Sequence, residues 1–223
     1  HVAEGRLSAE IGNAELFGRP MAATARGTLA ATGLEARIRT AVEDLPLPAL
    51  ADLFDVPGVE AGRAAVTVEG DVRCATLGAC LASLDGHLRL DLKAARVTGA
   101  SPFADMSRFR PIVPQANGST VTTQWDAVAA DLHLTGPRAV VERIEILGQG
   151  ARFQFGGRGD LATGAVDLTG YAYFPAYRPD PGRSGSTEIA VPMRVGGTLA
   201  RPEAMARDAV PPSEAPQPPA VSR

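Results

Sequence analysis

Apolar and polar residues alternate along most of the chain, a period of two that is typical of β-strands with one buried and one solvated face. The clearest run covers 87–94, where leucine or alanine at even positions alternates with histidine, arginine, aspartate or lysine at odd positions. The same pattern predicts further strands, with weaker signals in the first three: 7–11, 21–29, 34–42, 64–69, 128–134, 140–146, 165–173 and 189–195.

Turn residues separate these runs at intervals of about a dozen residues, and no helical pattern lies between the last five runs. The short turns are Gly136-Pro137, 148–150 and 162–164, and residues 175–186 form a longer loop rich in proline and glycine. This spacing favours an antiparallel meander over βαβ units. The sequence therefore predicts a mainly β fold: a long curved antiparallel meander sheet that forms an open groove or a partly closed barrel.

Two or three short helices interrupt the predicted strands. Thr76 is placed to cap a helix over 76–85, and Gly86 to end it. A second helix is predicted over 48–55 and a third over 102–109, each with a proline in its first turn. We expect these helices to cover part of the apolar face of the sheet.

Composition and charge narrow the possible functions. The 223 residues include 24 glycines and 18 prolines but only 5% aromatic residues, which disfavours a helical bundle. The formal net charge of −3 lacks the positive field of a general nucleic-acid binder, so we expect no nucleic-acid partner. No uncharged apolar stretch is long enough for a transmembrane helix. Because the chain begins with His1, we expect it to be cut from a longer protein.

No motif points to catalysis. Residues 157–162 match the letters of a glycine-rich dinucleotide fingerprint, but a strand is predicted to follow. That fingerprint needs a helix at this point, whose amino terminus holds the pyrophosphate. The three histidines are far apart in sequence, and most acidic residues fall in turns or on polar strand faces. Phe153 and Phe155 are expected to pack across strands against Tyr171 and Tyr173. The sequence therefore supports no enzymatic activity, no cofactor and no metal site.

The two cysteines, Cys74 and Cys80, are six residues apart, a spacing that fits neither a zinc site nor a redox motif. In an oxidising compartment they could close a small disulfide loop that ties the 76–85 helix to the preceding strand. Alternatively, Cys80 is a small buried residue on the apolar face of that helix.

Several stretches occur in an order that resembles a known family. They are the run 59–70, the helix end 81–86 with the strand 88–92, the run 157–161, and the closing run 189–202, in which a strand enters a G-G-T-L-x-x-P turn. Over roughly residues 40–208, this order is similar to the carboxy-terminal region of AsmA-like proteins.

The resemblance implies a protein of the Gram-negative envelope. Residues 1–43 would end an upstream β-rich repeat region, 44–202 would form the AsmA-like carboxy-terminal β domain, and 203–223 would be a disordered tail rich in proline and alanine. The body would lie in the periplasm, anchored to the inner membrane by an amino-terminal helix outside this sequence. Larger relatives resemble bridge-like lipid transfer proteins, whose curved sheets carry phospholipid in an open groove.

We therefore expect a role in outer-membrane biogenesis through binding or conducting phospholipid, whose acyl chains need only apolar contact. The candidate groove residues are apolar positions of the predicted strands: Leu88, Leu90, Leu92, Leu132, Leu134, Ile144, Ile146, Val166, Leu168, Ile189, Val191, Met193 and Val195. The same face could instead be the core of a closed sandwich or barrel. Two other functions stay open: an assembly factor that pairs with outer-membrane or other envelope proteins through a strand edge, and a carbohydrate-active β-fold enzyme.

Overall fold

The computed structural model describes residues 2–3, 5–30, 33–53, 55–99, 121–148, 150–175, 188–199 and 201–206. These residues form one antiparallel meander of twelve strands, each paired with its neighbours in sequence order, which confirms the predicted mainly β fold. The first and last described strands do not pair with each other, so the sheet is open and does not close into a barrel. The elements are β1 (Val2–Ala3), β2 (Arg6–Leu16), β3 (Arg19–Ala30), β4 (Gly33–Pro46), α1 (Leu47–Leu53), β5 (Val59–Cys74), α2 (Leu77–Ala82), β6 (Asp85–Gly99), β7 (Val121–Thr135), β8 (Arg138–Gly148), β9 (Ala151–Asp160), β10 (Val166–Pro175), β11 (Glu188–Thr198) and β12 (Arg201–Ala206).

Two of the three predicted helices are present, α1 close to 48–55 and α2 within 76–85. The Thr76 hydroxyl accepts a 3.4 Å hydrogen bond from the Ala79 N–H, so Thr76 caps α2 as predicted. Because α1 joins β4 to β5 and α2 joins β5 to β6, the helices lie at opposite ends of β5. The third predicted helix, 102–109, lies outside the described residues.

The strand register places the apolar positions on one face of the sheet, which we call the inner face. Leu88 of β6 lies opposite Leu132 of β7, and Leu168 of β10 lies opposite Val195 of β11. The charged positions alternate with these residues and form the outer face. This one-sided pattern follows from the alternation of side chains along a strand.

Ion pairs between neighbouring strands cover much of the outer face. Three examples have N–O distances of 2.9–3.2 Å: Arg37–Asp71 on β4 and β5, Arg143–Asp131 on β8 and β7, and Arg194–Asp167 on β11 and β10. Exposed pairs of this kind contribute only about 0–1 kcal/mol each to stability. Their main consequence is that the paired charged side chains of the outer face stay exposed to water.

Several β-bulges interrupt the register, and bulges increase the local twist of a sheet. One lies between Val42 and Leu45 of β4, where Asp44 has a positive φ of 57°. The Asp44 carboxylate lies 3.0 Å from the Arg19 guanidinium on β3 and 3.5 Å from that of Arg63 on β5. The bulge residue Asp44 therefore forms ion pairs with arginines on both neighbouring strands.

Residues 157–162 do not form a phosphate-binding loop, as expected. Gly157 and Gly159 lie within β9, and β10 follows after a short turn. Gly157 has a φ of 152°, and a Cβ there would collide with the Asp167 carbonyl oxygen. Glycine at 157 thus permits close approach of β9 and β10.

Phe153 and Phe155 lie on the inner face, opposite Ala172 and Gly170, whereas Tyr171 and Tyr173 lie on the outer face. The predicted packing of the phenylalanines against the tyrosines is therefore wrong. The prediction requires a β9–β10 register that differs by one residue from the observed one. A shift of one residue moves a side chain to the other face of the sheet.

Two predicted boundaries fall inside strands. The 43/44 division lies within β4, and the sheet continues across it. The predicted tail begins at Glu203, but residues 203–206 belong to β12, so disorder from Glu203 is wrong for these four residues. Backbone pairing with β11 and burial of Ala204 order a segment whose own hydrophobic content is low. Residues 207–223 lie outside the described residues.

Candidate functional site

All thirteen candidate groove residues lie on the inner face. Cross-strand pairs show this directly: Leu90 lies opposite Ala130, and Ala130 in turn lies opposite Ile144. The same face continues through β10 and β11, where Ala172 lies opposite Val191. The structure therefore brings these residues together as one apolar surface, whose exposure changes along the sheet.

The inner face of β7–β12, which we call the closed sector, is a packed core. Val191 is fully buried, and Leu168 and Met193 are almost so. Three aromatic rings fill the centre of this core: the Phe153 centroid lies 5.5 Å from that of Trp125 and 6.1 Å from that of Phe174. Edge-to-face aromatic packing of this kind stabilises the core beyond its burial alone. The candidates on β10 and β11 are thus core residues or pack against the core.

The middle strands carry two smaller clusters, one at each helix. Leu47 of α1 packs with Leu45 and Ala64, and half-buried Leu90 and Leu92 lie against this cluster. At the other end of β5, the residues after α2 pack against β4, β5, β7 and β8, with Leu84 and Leu134 buried among them. Both helices therefore cover inner-face residues, as the sequence predicted.

The inner face of β2 and β3, which we call the open sector, is apolar and is only partly covered by the described residues. No described residue of these two strands is buried; Ile11 is 47% exposed and Leu29 is 50% exposed. Between them the face carries alanines, among them Ala23 opposite Ile11 and Ala25 opposite Ala9. Small side chains leave room above the strand backbone, so the open sector can accept an apolar ligand without rearranging a core.

Sequence reasoning missed the open sector. The alternation in 7–11 and 21–29 is weak because alanine and glycine occupy many inner-face positions. Alanine gives little hydrophobic signal, whereas the large aliphatic residues that alternate clearly lie mostly in the part of the sheet that fills its own interior. The sequence signal that could have indicated the open sector is the run of small residues at alternate positions of two adjacent strands.

Cys74 and Cys80 form a disulfide, with their Cα atoms 4.8 Å apart. The bond ties the end of β5 to α2, one of the two arrangements that the sequence left open. Cys80 also packs against the cluster around Leu84, so the disulfide holds α2 over the inner face.

The perturbed titratable groups lie on the outer face or in its turns. The Asp160 carboxylate accepts hydrogen bonds from the Thr163 and Ala162 N–H groups, at 3.0 and 2.9 Å, and these lower the pKa of Asp160. Burial raises the pKa of Tyr173, whose ring centroid lies 4.2 Å from the Arg152 guanidinium. Hydrogen bonds in a turn explain the shift of Asp160, and burial on the outer face explains the shift of Tyr173.

His87 and His133 lie opposite each other on the outer face, with ring centroids 4.9 Å apart, and His133 Nε2 lies 3.2 Å from Asp85. Within the described ranges, no group of three or more His, Cys, Asp or Glu side chains is placed to hold a metal ion. No helix in that part of the chain has the length and apolar character needed to cross a membrane.

Comparison with known proteins found no matching family model, no matching curated protein and no matching solved structure. The inner face, its exposure and the charges around it are therefore the basis for a functional proposal.

Proposed function

We propose that this chain is the periplasmic β-rich part of an envelope protein that binds phospholipid acyl chains on its inner face, in support of outer-membrane biogenesis. In this proposal the open sector is the binding surface, and the closed sector is the core that supports it. The full-length protein is anchored to the inner membrane. The observation that carries the proposal is an apolar face that the described residues leave partly uncovered on β2 and β3, with Ile11 and Leu29 about half exposed.

Exposed apolar surface of this kind favours a ligand that is itself apolar. Burying acyl chains contributes roughly 0.8 kcal/mol per CH₂ and needs no catalytic group. About eight buried methylenes would thus contribute roughly 6 kcal/mol before the entropic costs of binding. The charged outer face keeps the other side of the same strands in water.

The disulfide supports a location outside the cytoplasm. Disulfides persist in oxidising compartments such as the periplasm and are rare in the cytosol. A bond between Cys74 and Cys80 is therefore in keeping with the proposed periplasmic location.

Native mass spectrometry of the chain purified from a Gram-negative host tests the proposal. We expect copurifying phospholipid, and we expect Ala25→Glu, on the inner face of β3, to remove it. Thr24→Glu adds the same single negative charge at the neighbouring outer-face position and serves as the matched control, because it should keep the lipid. Absence of lipid from the parent protein, or equal loss in both variants, would contradict the proposal.

One observation favours a second candidate function, assembly of envelope proteins through a strand edge. β1 pairs only with Arg6 and Leu7 of β2. Beyond these two residues, the edge of β2 that faces away from β3 has no partner strand in the described part of the chain. Unpaired edges accept strands from other proteins. A photocrosslinker at Glu15 should then capture an envelope protein in cells, whereas one at Glu69, on β5 and paired on both sides, should not.

A further inference from the structure

A cavity of about 450 Å³ lies beside the disulfide, where β3 and β5 end and β4 begins. Its lining residues come from both faces: Thr28, Gly33, Leu34, Glu35, Arg73, Cys74 and Ala75. Leu34 lies opposite Cys74 on the inner face, and Glu35 lies opposite Arg73 on the outer face. The cavity is therefore at the margin where the apolar face of the sheet meets its charged face.

The cavity adjoins the open sector at Leu34. Leu34 lies opposite Leu29 of β3, which is half exposed. A molecule with acyl chains on the open sector would therefore place its polar end at this margin.

The polar side of the cavity carries one cation and one anion. Arg73 Nε and Glu35 Oε1 are 3.6 Å apart, and their side chains are 81% and 66% exposed. An exposed pair with this separation contributes little stability, so a ligand can separate the two groups at little cost. A guanidinium matches a phosphate through paired hydrogen bonds, and a carboxylate accepts hydrogen bonds from an ammonium group.

We propose that this cavity binds the headgroup of a glycerophospholipid that carries a primary ammonium, with its phosphate on Arg73 and its ammonium on Glu35. The inference rests on the proposed function, because the acyl chains of the same molecule occupy the open sector. A choline headgroup has no N–H to donate to Glu35. A glycerol headgroup offers Glu35 no cation, so both bind more weakly than ethanolamine.

Displacement of a fluorescent fatty-alcohol probe from the whole chain tests the headgroup site. The competitors are lysophospholipids with one acyl chain in common and ethanolamine, choline or glycerol headgroups. We expect the ethanolamine lipid to bind about tenfold more tightly than the glycerol lipid, and Glu35→Gln to abolish this preference. Arg73→Gln should weaken all three lysophospholipids about tenfold while leaving the affinity for the probe unchanged.

Arg37 and Asp71 provide the matched control. They form the next ion pair along the same two strands, at 3.2 Å, and they do not line the cavity. The variants R37Q and D71N should therefore leave the three affinities unchanged.

The outcomes separate this inference from the proposed function. Equal affinities for the three headgroups, or equal effects of the cavity and control variants, would overturn the headgroup site alone. Failure of the chain to bind the probe and the lysophospholipids would overturn acyl binding as well. Soluble glycerophosphoethanolamine should compete weakly; competition as strong as that of the lysophospholipid would identify a soluble phosphate ester as the ligand and overturn the lipid assignment.

Discussion

Ile11→Asp and Val191→Asp place the same charge at the two extremes of the inner face. Ile11 is 47% exposed in the open sector, whereas Val191 is 0% exposed in the closed sector. If the open sector binds lipid and the closed sector is core, the first substitution should remove lipid from a folded protein. The second should mainly destabilise the fold.

The expected magnitudes follow from this difference in burial. Full burial of an aliphatic side chain contributes roughly 1.5–3 kcal/mol, so losing the half-buried Ile11 should cost about 1 kcal/mol. At Val191 the lost burial, about 2 kcal/mol, adds to the cost of an unpaired buried carboxyl, at least about 2 kcal/mol. A total of about 4 kcal/mol is a large fraction of the roughly 5–15 kcal/mol by which a typical domain is stable.

Urea unfolding followed by the fluorescence of Trp125, the single tryptophan, measures both costs. Native mass spectrometry of the same samples measures bound lipid. The division of the inner face into an open binding sector and a closed core is contradicted if Ile11→Asp lowers the unfolding free energy as much as Val191→Asp does. It is also contradicted if Ile11→Asp keeps its lipid.

Three further predictions concern the core, the disulfide and one turn. Phe153→Ala should lower the unfolding free energy by about 3–5 kcal/mol through the lost aromatic contacts, and a loss below about 1 kcal/mol in urea unfolding would contradict a packed closed sector. Reducing the Cys74–Cys80 bond should cost about 2 kcal/mol of chain entropy. The urea midpoint with and without reductant measures this cost, and the double cysteine-to-alanine variant should not respond to reductant. Because the folded state lowers the pKa of Asp160, its stabilisation is present above the unfolded-state pKa and is lost as the pH falls through the folded-state pKa. Asp160→Ala should therefore be less stable than the parent at neutral pH, and a stability difference that persists unchanged at acid pH would refute this account.

The strands and the two described helices follow from local sequence, and β6 shows why. Residues 87–94 alternate without exception, so a period-two strand is the arrangement that keeps their leucines together and their charges in water. Thr76 marks the start of α2 for a similarly local reason, because its hydroxyl satisfies a free backbone N–H of the first turn.

β12 shows the limit of such local signals. Residues 201–206 have a weak apolar pattern, and their order comes from pairing with β11, which no property of the segment itself reveals. The same limit applies to Phe153 and Tyr173, because the register that separates them is set by the pairing of β9 with β10.

The sequence by itself determined the mainly β class, the meander order, two helix positions and the membership of the thirteen apolar residues in one face. These properties depend on alternation, turn residues and caps, which act over a few residues. Only the tertiary structure decided which part of that face is filled and which is open. Burial depends on how far the sheet curls and on what α1, α2 and the aromatic rings cover, and these contacts join residues far apart in the chain. For the same reason, only the folded chain brings Glu35 and Arg73 together at the margin of the open sector.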